Sequence, residues 1–321
     1  MNTPGDLHER VAGGLWGLLI GDALGVPYEF HRPIDLPPQH AIDFQPPPGF
    51  ARAHRGVSPG TWSDDGAQAL CLLASLLAKG ELDLDDFSRR LVNWADWGYL
   101  AVDGNVFDIG VQTAQAIDSL RDGESPATAG PRGEFDNGNG ALMRVLPLAL
   151  WHRGSDAELI ALAARQSMPT HGHARSWVAC AMYCLWARAE LSQRENSWSE
   201  AANVLRELGP DADLPSEEIE LVLSSTQRDK VRGSGYVVDT LWSARMAVEE
   251  TDTYEDAVRR AIALGNDTDT TAAVAGGIAG IRYGLGGISL SWRRQLRGQE
   301  LLAPLLEELT SRKTSFVARS T

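Results

Sequence analysis

Residues 60–80 read GTWSDDGAQALCLLASLLAKG, and this stretch decides the fold class. Leu72, Leu73, Leu76 and Leu77 recur at three and four, the spacing of one helix face. Gly80 stands where such a helix would stop. Ser63 stands where it would start, as an N-cap, with Asp64 and Asp65 in the first turn against the positive end of the helix dipole. The same period recurs along the chain. Val11, Leu15, Leu18 and Leu19 form one stripe, and Trp177, Cys180, Ala181, Cys184 and Leu185 another. Val237, Leu241, Ala244 and Val248 follow, then Ala257, Val258, Ala261 and Ile262. Strict apolar/polar alternation, the mark of strands, is scarce. The pattern predicts an all-α fold, not a βαβ one.

The 321 residues are 43% hydrophobic, enough to bury a large core and to make disorder an unsuitable reading. We read residues 1–321 as a single α-helical domain. The polar, acidic stretch 191–230 looks like a surface insertion, 38–59 like a Pro-rich loop, and 311–321 like a frayed tail. Asp and Glu number 43 against 29 Lys and Arg, a net charge of −14. That balance repels long nucleic acid and anionic membranes. A local pocket holding metal ions can still take a nucleotide-like ligand. Cys71, Cys180 and Cys184 make an odd count without a disulfide framework, and read as small buried hydrophobes. The opening residues lack a basic stretch followed by an apolar one, and the longest apolar run, 13–20, is short for a bilayer. A cytoplasmic protein without a membrane partner is expected.

Two acidic clusters carry the chemistry. The first is Ser63-Asp64-Asp65 behind Trp62. Helix capping accounts for one acid and one hydroxyl there, and less well for two adjacent acids in a Gly-bounded loop. The second is Asp267-Thr268-Asp269-Thr270 after Asn266, where alternating acids in an extended turn point at one centre. A lone Asp-x-Asp is usually a solvated turn. Here each cluster sets a hydroxyl beside acids and opens a small-residue helix; in the second, Gly276, Gly280 and Gly284 repeat every four positions, suiting a closely packed buried helix. Four carboxylates buried together repel one another and resist desolvation, and divalent cations resolve that cost. An all-oxygen donor set suits Mg²⁺, Mn²⁺ or Ca²⁺ over zinc.

These clusters lie within a longer series of motifs: GLLIGDALGVPYEF, GTWSDDGAQAL, FDIGVQT, NGNGALMRVLPLAL, THGHARS, GSGYVVDTLWSA and GNDTDTTAAVAGGIAG. In that order, from about Val11 to Gly284, the chain resembles the ADP-ribosylglycohydrolase family, of the dinitrogenase reductase-activating glycohydrolase and ADP-ribosyl-acceptor hydrolase type. The resemblance implies a compact all-α fold around a two-metal centre of Mg²⁺ or Mn²⁺. It assigns the metal ligands to Ser63, Asp64, Asp65, Asp267, Asp269 and Thr270, with Asp269 as the bridge. It gives Glu29 and Asp108 catalytic roles, one as acid and one as base. It places Asn137, Gly138, Asn139, Gly140, Ala141, Leu142 and Met143 around the phosphates and distal ribose. His171 falls near the ribose, and Gly233, Gly235 and Tyr236 on the nucleotide side.

Gly-rich backbone lets N–H groups approach phosphates, and an aromatic such as Tyr236 can stack on adenine. On spacing alone His171 is as well read as a core histidine, Arg144 as a partner of a buried acid, and Asp22 as a helix-terminal cap. The activity the resemblance implies is removal of ADP-ribose from an acceptor, by default an arginine-linked protein, with ADP-ribose as product. The cations orient the ribose and acidify the attacking water. Other ADP-ribosyl conjugates (a small molecule, a nucleic-acid end, a serine-linked protein) are alternatives, as is a catalytically silent ADP-ribose-binding relative. Loss of the metal-binding aspartates would mark the silent form, and every matching position is present.

Overall fold

The structure, a computed structural model, describes residues 7–317, with side chains through 311. Among the described residues fourteen α-helices follow one another. They are α1 (Leu7–Gly25), α2 (Asp64–Lys79), α3 (Leu84–Trp97), α4 (Val111–Arg121), α5 (Leu146–Trp151), α6 (Asp156–Ser167) and α7 (Ala174–Leu191). Then come α8 (Ser197–Leu208), α9 (Ser216–Leu223), α10 (Val237–Glu249), α11 (Tyr254–Ile262), α12 (Thr268–Tyr283), α13 (Leu290–Gln295) and α14 (Gln299–Val317). No strand forms among the described residues, and Gly138 and Tyr236 make an isolated antiparallel bridge. The expected all-α class is what the chain adopts.

The centre of the molecule is the crossing of α1 on α12. Their backbones touch because glycine faces backbone at each level. A Cβ on Gly13 would stand 2.1 Å from the Gly280 carbonyl oxygen, on Gly17 2.3 Å from that of Gly276, and on Gly21 2.1 Å from that of Ala272. At the last level a Cβ on Gly25 would meet Asp269 Cα at 2.3 Å. The seam therefore sets the end of α1, with Asp22, against the start of α12, with Asp269. Around this pair, leucines and alanines of α2, α5, α7, α10 and α11 complete one continuous core.

Taken with its flanks, 7–28, the first helix is long and apolar enough to cross a membrane, with a mean hydropathy of 1.2. The uninterrupted run 13–20 understates it, because its polar positions are few. Yet 94% of its most apolar window is buried inside the protein, so it serves as the central core helix.

α2 begins and ends where its sequence indicates. Ser63 is the N-cap, and Gly80 closes the helix at φ 73°, a left-handed conformation that glycine adopts without strain. The stretch 191–230 is more than a polar surface. It forms α8 and α9, which bury Trp198, Leu205, Ile219 and Val222 against α7. Its charges are the outer faces of two amphipathic helices. α14 runs through Val317, past Ser311 where composition favours fraying; 318–321 lie outside the described residues, as do 1–6 of the opening stretch. Cys71, Cys180 and Cys184 are unpaired and buried.

Candidate active site

Asp22 is fully buried. Its carboxylate accepts the Ser63 N–H at 2.8 Å and the Gly66 N–H at 2.8 Å, so α1 caps the start of α2 from across the core. This cap fixes the first turn of α2, where Asp64 and Asp65 diverge. Asp65 turns inward: its Oδ2 accepts from the Ser63 hydroxyl at 3.0 Å and the Thr270 hydroxyl at 3.4 Å. Asp64 faces the cleft and accepts from Gln68 Nε2 at 3.0 Å. Behind Gln68 stands the fully buried Arg144, which donates to Gln68 Oε1 at 3.0 Å and to the Gln166 carbonyl at 3.1 Å. Arg144 thus braces Asp64 through a glutamine; it contacts neither the cleft nor a carboxylate.

The second cluster comes in at the start of α12. Asp267 caps the helix by position, its Oδ2 accepting Asn139 Nδ2 at 2.7 Å, while its N–H donates to the Gly233 carbonyl at 2.9 Å. Asp22, Asp65 and Asp269 offer carboxylate oxygens all within 4.8 Å of one another, as do Glu29, Asp267 and Asp269. Asp65 Oδ1 and Asp269 Oδ2 are buried without a hydrogen-bond partner. A buried carboxylate oxygen left bare is costly.

Electrostatics says the same. Burial, then Asp65, drives the Asp64 carboxyl well above the usual range; burial, then Asp22, does so for Asp65; burial, then Glu29, for Asp269. Burial raises Asp22 to about 7 against the pull of the Ser63 and Gly66 amides. Glu29 is pushed up to about 10, first by burial and then by Asp108 and Asp267. Standing alone, the cluster would hold protons; it is a site shaped for positive charge.

The cleft above these acids encloses about 310 Å³. Glu29, Asp64, Asp108, Gly138, Asn139, Gly140, Met143, His171, Gly235, Asp267 and Thr270 all line it. A larger hollow of about 570 Å³ lies beyond the C-terminal end of α2, beside α5, α6 and α14, but it is mostly apolar and none of the paired aspartates lines it, so volume is the poorer guide. Within the expected phosphate loop, Ala141 and Leu142 turn away into the core. Several loop amides are engaged inside the protein: Gly138 N–H to Gln112 Oε1 at 2.7 Å, Asn139 N–H to the Gly235 carbonyl at 3.1 Å, and those of Leu142 and Met143 to the Asn139 carbonyl. Gly140 lies under His171, whose Cε1 a Cβ would approach to 2.8 Å.

His171 is buried, with Nδ1 2.8 Å from the Thr170 hydroxyl. Burial, assisted by Arg144, lowers it to about 3, so it meets a ligand as a neutral ring. Gly233 is a support: at φ 64° its carbonyl holds Asp267, and a Cβ there would strike Leu264. Tyr236, next to the cleft residue Gly235, does not itself line the cleft; it is 37% exposed, with its hydroxyl toward Arg175, which in turn pairs with Glu218 of α9 at 2.8 Å. Through Glu218 the acidic stretch 191–230 therefore braces Arg175 and Tyr236.

Two residues escape sequence reasoning. Asp22 reads as an ordinary helix-end acid, although a lone carboxylate within GLLIGDALG is itself a signal of buried purpose. His54 lies in the Pro-rich loop, where no periodicity singles it out, yet its Nε2 sits 2.6 Å from Glu29 Oε2.

Comparison with known proteins agrees with this architecture. A family model described as ADP-ribosylglycohydrolase matches residues 3–316. The chain is 35% identical over 326 residues to the ADP-ribosylarginine hydrolase Tri1 of Serratia proteamaculans (strain 568), covering 96% of this chain and 82% of that one. It is 30% identical over 303 residues to the ADP-ribosyl-[dinitrogen reductase] glycohydrolase of Rhodospirillum rubrum, covering 92% of each. A solved structure titled ADP-ribosylglycohydrolase-related protein complex superposes with a TM-score of 0.75 at 30% identity, over 95% of this chain and 98% of that one.

Proposed function

Because the chain belongs to the ADP-ribosylglycohydrolase family, we propose that this cleft removes ADP-ribose from arginine-linked proteins and depends on two divalent cations, Mg²⁺ or Mn²⁺. The observation that carries the reading is the pair of bare, buried oxygens, Asp65 Oδ1 and Asp269 Oδ2, within a set of uncompensated carboxyls. An all-oxygen set of this kind fits hard cations. Ser63, Asp64, Asp65, Asp267, Asp269 and Thr270 would hold them, with Asp22 fixing the geometry from beneath. When bound, the cations supply positive charge that orients the ribose hydroxyls and acidifies water.

The remaining chemistry belongs to the chain. Cleaving the bond at the ribose anomeric carbon builds oxocarbenium character, which carboxylates around the cleft stabilise. The departing guanidine needs a proton and the attacking water must lose one. Glu29 and Asp108 face the cleft from separate loops and are placed for these two tasks. In the metal-free protein burial, then Asp108, pushes the Glu29 carboxyl up to about 10. Neutral His171 can hydrogen-bond a sugar hydroxyl without adding charge.

The test uses a protein ADP-ribosylated on arginine and another modified on serine, each incubated with the full chain and Mg²⁺ or Mn²⁺. Released ADP-ribose from the arginine-linked protein is expected, and its loss with chelator. No release with either cation would overturn the proposal.

A further inference from the structure

Glu29 and Asp108 share a handicap: neither is on a helix. Glu29 closes the short 3₁₀ turn after α1, and Asp108 lies in the loop before α4. Acids on loops hold a fixed separation only if something ties the loops together.

His54 makes that tie. Its Nε2 lies 2.6 Å from Glu29 Oε2 and 3.8 Å from Asp108 Oδ1. Its ring packs between the two loops, with centroids 5.6 Å from Phe30 and 5.1 Å from Phe107. Phe30 follows Glu29 and Phe107 precedes Asp108, so one side chain grips both segments twice, by a polar contact and by an aromatic one. The side chain is only 15% exposed.

The backbone shows that the arrangement is imposed. Phe30, His54 and Asp108 have φ of 63°, 46° and 63°, left-handed values that residues with a Cβ adopt only under strain. Such strain persists only where surrounding structure overrides it. Here the Phe30 N–H donates to the Asn266 carbonyl at 2.7 Å, the Ala53 N–H to the Pro27 carbonyl at 2.9 Å, and the Val57 N–H to the His54 carbonyl at 2.8 Å. Three strained residues from three loops meet at one point, which chance folding of a Pro-rich loop does not explain.

We propose that His54 is a positioning residue for the hydrolysis, holding Glu29 and Asp108 at the separation that cleavage requires. This rests on the active-site reading above. His54 acts through the two carboxyls and need not touch substrate.

The experiment compares wild-type protein, His54→Phe and His54→Gln on ADP-ribosylarginine with Mg²⁺, alongside Mn²⁺ binding by calorimetry. Phenylalanine keeps the stacking on Phe30 and Phe107 and lacks the ring nitrogen; glutamine supplies a polar N–H and lacks the ring. For His54→Phe, kcat should fall by about tenfold or more, with KM and Mn²⁺ affinity within about twofold of wild type. His54→Gln should recover most of kcat. The proposal is overturned if His54→Phe keeps its kcat, if both variants lose it equally, or if Mn²⁺ binding falls in parallel. Failure of the wild-type protein to release ADP-ribose would sink the active-site reading itself, a result distinguishable from all three.

Discussion

Asp22 caps a helix to which it does not belong: from α1 it accepts the amides of Ser63 and Gly66, each at 2.8 Å, at the start of α2. The contact converts the packing of two core helices into the placement of Asp64 and Asp65. Replacing Asp22 with alanine leaves two buried amides without an acceptor. In Mg²⁺-loaded protein, Asp22→Ala should lower the unfolding free energy by about 2–4 kcal/mol, from about 1–3 for each orphaned group less partial relaxation. Urea denaturation measures this directly. A loss under about 0.5 kcal/mol would show that the cap is dispensable.

The crowded carboxyls make a prediction about pH. In metal-free protein Asp22 is raised to about 7, and Asp64, Asp65 and Asp269 lie well above their usual range, burial being the first cause for each. Between the unfolded value near 4 and the raised folded value, the folded chain binds more protons than the unfolded one. The stability these groups contribute is present in full below about pH 4 and is lost as pH rises through about 7 and beyond. His171, lowered to about 3, runs the other way: its contribution is complete above about 6.5 and falls away toward pH 3. Four acids outweigh one histidine. Metal-free protein should therefore melt higher at about pH 5.5 than at about pH 8, and Mg²⁺ should reverse most of the difference. Asp269→Ala should remove turnover while raising the melting temperature of metal-free protein at the higher pH. A metal-free melting temperature that rises with pH would contradict the uncompensated cluster.

How far the site was legible follows from where each residue sits. Ser63, Asp64, Asp65 and Asp269 lie at helix starts, where capping preference and periodicity mark the position within a residue or two. The α1–α12 seam was half visible: spacing showed the glycines of α12 and gave no hint that Gly13 and Gly17 would meet them, with Gly21 against Ala272. His54 and the pairing of Asp22 with α2 depend on contacts 25 and 41 residues apart in sequence, which no local pattern encodes. In the stretch 191–230 composition shows the charges on the outer faces of α8 and α9 and hides the few large apolar residues inside. In the loop 137–143, a glycine-rich pattern did not distinguish residues that line the cleft from Ala141 and Leu142, which anchor the loop in the core.

The seam itself can be tested by sign. Glycine to alanine inside a helix ordinarily stabilises by up to about 1 kcal/mol. At Gly280 the new Cβ would stand 2.0 Å from the Gly13 carbonyl oxygen, which is backbone and cannot rotate aside. Gly280→Ala should therefore destabilise by about 2 kcal/mol or more. Gly56→Ala, where nothing lies within 4 Å, is the control and should change little. Thermal or urea unfolding of the two variants decides the matter; a neutral or stabilised Gly280→Ala would mean that the helices do not touch as described.

The final prediction concerns the product. Free ADP-ribose should bind in the cleft and raise the melting temperature, because the proposed reaction requires the cleft to hold the ADP-ribosyl portion of the conjugate. Binding to the folded form alone stabilises it by about 2.7 kcal/mol at a hundredfold excess over the dissociation constant. Removing Mg²⁺ should shrink the shift, since the ribose hydroxyls then face bare carboxyls. Tyr236→Ala should weaken binding by roughly 1 kcal/mol if its ring stacks on adenine. The Tyr236 hydroxyl meets Arg175, itself held by Glu218 at 2.8 Å and 3.0 Å. Glu218→Ala, on α9 and away from the cleft, should therefore show a smaller loss in the same direction. Calorimetry with ADP-ribose on the three proteins, with and without Mg²⁺, separates these effects. Weaker binding in Tyr236→Ala and Glu218→Ala together would tie the acidic stretch 191–230 to nucleotide recognition. Unchanged affinity in both would place adenine away from Tyr236, and no binding by the wild-type protein at millimolar ADP-ribose would remove the ligand from the cleft altogether.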